Sequence, residues 1–149
     1  MADQRKDDAY QITWLVRRLF RAMGQTANSY LETLGVTAAE RAVMEFLVRE
    51  SRMTVPEIAR AYDVSRQHIQ ASVNTLLEKR LVAYEDNPGH KRSPFVVLSK
   101  RGYRLFDRIT KKDQALIRSI FSGISKSEQK TTRQTLQSIL DNLSEGVRT

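Results

Sequence analysis

The chain of 149 residues contains no cysteine. Disulfide bridges, thiolate metal sites and cysteine redox sensing are therefore excluded. Histidine is nearly absent too: His68 and His90 are the only two. Any metal site would have to be completed by carboxylates, so none is assigned. There is no Gly-x-Ser-x-Gly elbow, no phosphate-cradling glycine loop and no His-x-x-x-His spacing. No pair of carboxylates suggests acid–base work, so no catalytic residue is assigned and no cofactor is expected. No apolar run approaches the roughly 18–20 residues of a membrane span. The first ten residues, MADQRKDDAY, lack the apolar core of a secretory signal. The expected compartment is a reducing cytoplasm, with no membrane partner.

Positive charge, by contrast, is abundant and unevenly placed. The formal net charge is +8. Residues 52–112 hold 13 Lys and Arg against 6 Asp and Glu, whereas the other 88 residues hold 12 against 11. Nearly all the excess therefore sits on one module, the footprint expected for a polyanionic ligand. Apolar residues make up 40% of the chain, enough for a real core.

The basic module reads as two short helices, a tight turn and a hairpin. It is the run TVPEIARAYDVSRQHIQASVNTLLEKRLVAYEDNPGHKRSPFVVLS, residues 54–99. Thr54 and Glu57 form a capping box with Pro56 in the first turn, where a missing N–H costs nothing. That helix extends to about Tyr62, and Asp63 and Val64 make the turn. Ser65 is placed to cap the next helix, which runs to about Lys79 with Ile69, Val73, Leu76 and Leu77 inward. Leu81 to Tyr84 and Phe95 to Leu98 are strand-like, around a turn at residues 86–89. Upstream, Thr37 and Glu40 open a helix with Val43, Met44, Phe46 and Leu47 as its buried stripe. The predicted fold is mainly α with a small β-hairpin wing: a winged helix-turn-helix over residues 34–102.

Long helices flank this unit. One is expected over residues 8–31, with Tyr10, Trp14, Leu15, Phe20 and Met23 at helical spacings. Ser99 caps another, and Ser125 and Glu128 open a last one carrying Leu136, Ile139, Leu140 and Leu143. A winged helix does not need these stripes to cover its core. Segments 1–33 and 103–149 are therefore expected to be dimerisation helices, meeting a second copy about a two-fold axis.

Taken together these segments resemble the MarR family of bacterial transcription regulators. LGVTAAERAVMEFL is similar to the family's second helix, VSRQHIQASVNTLLEKRLV to its recognition helix, and HKRSPFVVLSKRG to its wing. The resemblance implies a homodimeric, sequence-specific DNA-binding regulator that represses transcription from a pseudo-palindromic double-stranded site. It also implies release by a small aromatic or phenolic effector. Trp14, Arg17, Arg18, Tyr30 and Met44 suit such a site by composition but read first as core and surface, so no effector residue is assigned. The chain departs from the family pattern at four positions. His90 stands where an Asp often orients the wing arginine, Arg80 replaces a helix-ending glycine, and Ala71 and Thr75 replace basic residues.

The candidate DNA-binding residues follow from position and chemistry. Arg66, Gln67, His68, Gln70 and Asn74 lie off the inward stripe of the recognition helix, whose N-terminal part enters the major groove. Arg can bond guanine O6 and N7, and Gln can bond adenine N6 and N7. Thr54 and Ser65, at helix starts, suit phosphate oxygens. Lys91 and Arg92 at the wing tip suit a narrow minor groove, with His90 beside them. Lys100 and Arg101, at the wing base, suit backbone phosphates or plain solvation. The alternatives are a winged helix that coats DNA nonspecifically and one that binds another protein. Either would leave the polar helix positions without base readout.

Overall fold

The computed structural model describes residues 7–146. Six helices and three strands follow one another. The order is α1 (Asp8–Thr33), α2 (Ala38–Glu50), β1 (Arg52–Thr54), α3 (Val55–Tyr62), α4 (Arg66–Glu78), β2 (Val82–Glu85), β3 (Phe95–Leu98), α5 (Lys100–Ile120) and α6 (Lys126–Gly146). The chain divides into two compact units that part between Asp113 and Gln114, inside α5.

Local chemistry sets the helix starts. The Thr37 hydroxyl accepts from the Glu40 N–H at 3.2 Å, and the Glu40 carboxylate accepts from the Thr37 N–H at 3.1 Å. Thr54 with Glu57, and Ser125 with Glu128, repeat this exchange. Ser99 turns β3 into α5: its Oγ accepts from the Gly102 N–H at 3.0 Å and donates to the Arg80 carbonyl at 2.8 Å.

The expected hairpin is present, and a third strand adds to it. β3 is central, with β2 on one side and β1 on the other, all antiparallel. Val82 pairs with Leu98 across the wing, and Arg52 pairs with Val97 on the added edge. Three residues are too short to show a period, so β1 exists only through this distant pairing.

The core of the first unit is the meeting of one stripe from each element. Val43, Met44 and Leu47 of α2, Ile58 of α3, Ile69, Val73 and Leu76 of α4, and Val96 of β3 are fully buried. On α4 the buried set is Ile69, Ser72, Val73 and Leu76, while Leu77 is only half-buried. Leu31 from α1 and Ile109 from α5 join the same core. A boundary at residue 103 therefore cuts through packed structure, because the first turns of α5 belong to the winged helix. Asp113 fastens this end of α5, accepting from the Tyr30 hydroxyl and, at 2.7 Å, from the Arg41 guanidinium. Burial pushes its carboxyl above the ordinary range.

The end of α4 carries strain. Arg80 N–H donates to the Leu77 carbonyl at 2.9 Å and Leu81 N–H to the Leu76 carbonyl at 2.9 Å, a Schellman closure. It needs a left-handed residue, and Arg80 takes φ = 56°. A left-handed L-residue costs about 1–2 kcal/mol, while glycine loses about 0.5–1 kcal/mol more chain entropy on folding. Arg80→Gly is expected to gain roughly 0.5–1 kcal/mol net, seen as a higher urea midpoint at unchanged slope.

Candidate nucleic-acid interface

The start of α4 is presented by a turn that sequence and backbone agree on. Asp63 takes the left-handed conformation that a short polar side chain tolerates, φ = 55°, and ends α3. The Ser65 hydroxyl then accepts from the His68 N–H at 3.1 Å and starts α4. With Ile69, Ser72, Val73 and Leu76 facing inward, Arg66, Gln67, His68 and Asn74 are exposed and Gln70 is half-buried at the edge.

The wing is closed by short bonds of its own. Asn87 Nδ2 donates to the Ser93 carbonyl at 2.9 Å, His90 N–H to the Asn87 carbonyl at 3.0 Å, and Ser93 N–H to the His90 carbonyl at 2.9 Å. His90, Lys91 and Arg92 are all exposed on it. Arg52 lies over the Phe95 ring, 4.6 Å from its centre, at the tip-side end of β3.

Helix and wing converge on one groove of about 330 Å³, lined by Arg66, Gln67, Gln70, Tyr84, Arg92, Ser93 and the apolar Val55, Pro56 and Pro94. His90 lines a neighbouring depression with Pro56, Glu57 and Arg60. Lys91 and His68 line neither; Asn74 stands one turn beyond Gln70 and is bonded to it. Among the described residues Arg66, Lys91 and Arg92 form no ion pair, so their positive charge is not neutralised internally.

Thr54 departs from expectation. It is 7% exposed, and its hydroxyl donates to Glu57 Oε2 at 2.9 Å while accepting from the Glu57 N–H. The hydroxyl hydrogen is spent on the cap, which holds the start of α3 in place. The Glu57 carboxyl is held below the usual carboxylate range, first by the Thr54 N–H and next by the Thr54 hydroxyl.

Tyr84 was missed by sequence reasoning, although it shares a strand face with buried Val82 by the period of two. Gln70 Nε2 donates to Tyr84 Oη at 3.0 Å and to Asn74 Oδ1 at 2.9 Å. Both amide hydrogens are used, leaving Gln70 to present its Oε1 as an acceptor. The two-point adenine contact anticipated for Gln70 needs a free donor and is not available in this arrangement. Tyr84→Phe removes one anchor of that amide.

A helix–wing groove of this kind matches a known family. Residues 34–93 match the model of the MarR family. Over those residues the winged helix is similar to the MarR family. Uncharacterised proteins of Mycobacterium tuberculosis and Mycobacterium bovis are 29% identical over 94 residues, 63% of this chain and 66% of their own length. The crystal structure of the MarR family transcription regulator SP03579 superposes with a TM-score of 0.91 at 23% identity, covering 98% of this chain and 97% of that one. That likeness takes in the helices on both sides of the winged helix. Staphylococcus aureus MepR, solved as a DNA complex, gives 0.75 at 20% identity, over 89% and 97% of the two chains. Staphylococcus aureus MarR, solved with salicylate and kanamycin, gives 0.82 at 17%, over 97% and 99%. Among the described residues no helix is long and apolar enough to cross a membrane.

Proposed function

We propose that this protein is a dimeric, sequence-specific DNA-binding repressor of the MarR type, working in the cytoplasm. The observation that carries this reading is the shared groove: Arg66, Gln67 and Gln70 from α4 meet Arg92 from the wing around one opening. Arg66 and Gln67 read base edges in the major groove, with Gln70 adding an acceptor. His68, Asn74 and the capped end at Ser65 contact the backbone or neighbouring bases, and Lys91, Arg92 and His90 follow the flanking minor groove or phosphates.

Dimerisation is supported by the apolar residues α1 leaves uncovered: Ile12, Leu15, Leu19 and Met23 recur at helical spacing and are 38–57% exposed, and Phe20 is 83% exposed. A two-fold partner covers such a stripe and sets two α4 helices on half-sites about one or two helical turns apart. The salicylate-bound Staphylococcus aureus MarR, sharing this fold, supports release by a small aromatic or phenolic effector that binds the two conformations unequally.

The test is selection of genomic fragments retained by the purified protein against competitor DNA, followed by sequencing. An inverted repeat is the expected product. Arg66→Ala should weaken binding to it by about 1–3 kcal/mol and relax preference at the base pair Arg66 contacts. Uniform retention without a motif would instead support a nonspecific coating protein, and retention of no DNA a protein-interaction module.

A further inference from the structure

We infer that the groove between the end of α4 and the start of α5 is a binding site for a small anion carrying two or more negative charges, of phosphate or polycarboxylate chemistry. The groove has a volume of about 550 Å³ and is walled by Lys79, Arg101, Arg104 and Arg108 over Leu81 and Leu105. It lies at the opposite end of α4 from the helix–wing groove. Lys79 follows the last residue of α4 and Arg66 is the first, and a helix of 13 residues spans about 20 Å.

Of these four cations only Lys79 is neutralised by the fold, through Glu40 at 2.7 Å. Among the described residues Arg101, Arg104 and Arg108 form no ion pair and no side-chain hydrogen bond. On α5 itself the acidic groups are engaged away from the groove, Asp107 with Lys111 at 2.7 Å and Asp113 with Arg41 at 2.7 Å. Two physical costs attach to the cluster. Arg101, Arg104 and Arg108 lie three and four residues apart on one helix face, where like charges repel. The first turn of α5 also holds Lys100 and Arg101 and no acidic residue, against the helix dipole. A bound dianion removes both costs, and planar guanidinium groups match phosphate and carboxylate oxygens two at a time.

The inference does not depend on the DNA-reading proposal, and its test does not use DNA. The full-length protein is titrated calorimetrically with inorganic pyrophosphate and with citrate, with sodium chloride balancing ionic strength. The proteins compared are wild type, the Arg104→Gln/Arg108→Gln pair and the Arg66→Gln/Arg92→Gln pair. Glutamine is a good helix former and all four positions are exposed, so folding is retained and is checked by circular dichroism. One saturable site per chain is expected, weakened at least about tenfold in the first pair and unchanged in the second. Tighter pyrophosphate binding assigns phosphate chemistry, and tighter citrate binding assigns polycarboxylate chemistry. No saturable binding by wild type, or weakening by the DNA-face pair alone, overturns the inference.

Discussion

Gly102→Ala is expected to lower stability by about 3 kcal/mol, the upper end of the usual cost of forcing a group into a packed site. A Cβ at residue 102 would lie 2.1 Å from the Leu81 carbonyl oxygen and 2.9 Å from Leu98 Cδ2. That carbonyl is fixed: it accepts the Ser99 N–H at 3.0 Å, where the root of the wing meets α5. Leu81 is also the residue that closes the end of α4, so it cannot move without opening the Schellman turn. The collision therefore falls on the corner that joins recognition helix, wing and α5. A matching control is available in Gly24, in α1, where a Cβ meets nothing within 4 Å. Gly24→Ala should be neutral or gain up to about 1 kcal/mol from helix propensity. Urea titration of both variants decides the matter. Similar midpoints for the two would contradict the packing described at the wing root.

The second large effect concerns assembly. Leu19→Glu places a carboxylate on the uncovered stripe of α1, where Leu19 is 57% exposed in one chain. The isolated chain should tolerate it, because the side chain stands in water. A two-fold interface would bury the charge twice, each without a partner, at a cost of several kcal/mol. Sedimentation velocity is expected to show dimer association at least about 100-fold weaker, with circular dichroism unchanged. Affinity for a two-half-site duplex should fall with it. A Leu19→Glu protein that remains dimeric at micromolar concentration would remove α1 from the interface.

The parts of this molecule that were legible in the sequence are those governed by neighbours along the chain. The exchanges at Thr37 and Glu40, Thr54 and Glu57, and Ser125 and Glu128 depend on residues three apart, and all are present. Ser65 caps α4 and Ser99 starts α5 for the same reason. The glycine-like turn at Arg80 was also foreseeable, once a non-glycine residue was noticed where the MarR pattern ends a helix. The parts that were not legible depend on distant pairing. β1 forms because Arg52 to Thr54 find Val97 to Phe95 more than 40 residues away. Tyr84 acquires its role only when the wing folds back to Gln70. Thr54 looked available for a phosphate because its cap and its burial by the sheet are separate facts, and only the first can be read locally. The cations at Arg104 and Arg108 drew no attention in sequence, where they sit among other charges along an apparently solvated helix. Their isolation from acidic partners emerges only when Glu40, Asp107 and Asp113 are seen to be engaged.

The most direct test of the central claim uses the selected inverted repeat and a duplex in which one half-site is scrambled. Stoichiometry and affinity are measured for both at one fixed salt concentration, since phosphate contacts make affinity salt-dependent. Two chains per intact duplex are predicted. Mismatched base pairs each cost about 1–3 kcal/mol, so scrambling one half-site should weaken binding by at least about 100-fold. Equal affinity for the two duplexes would contradict a symmetric reader built on Arg66, Gln67 and the wing.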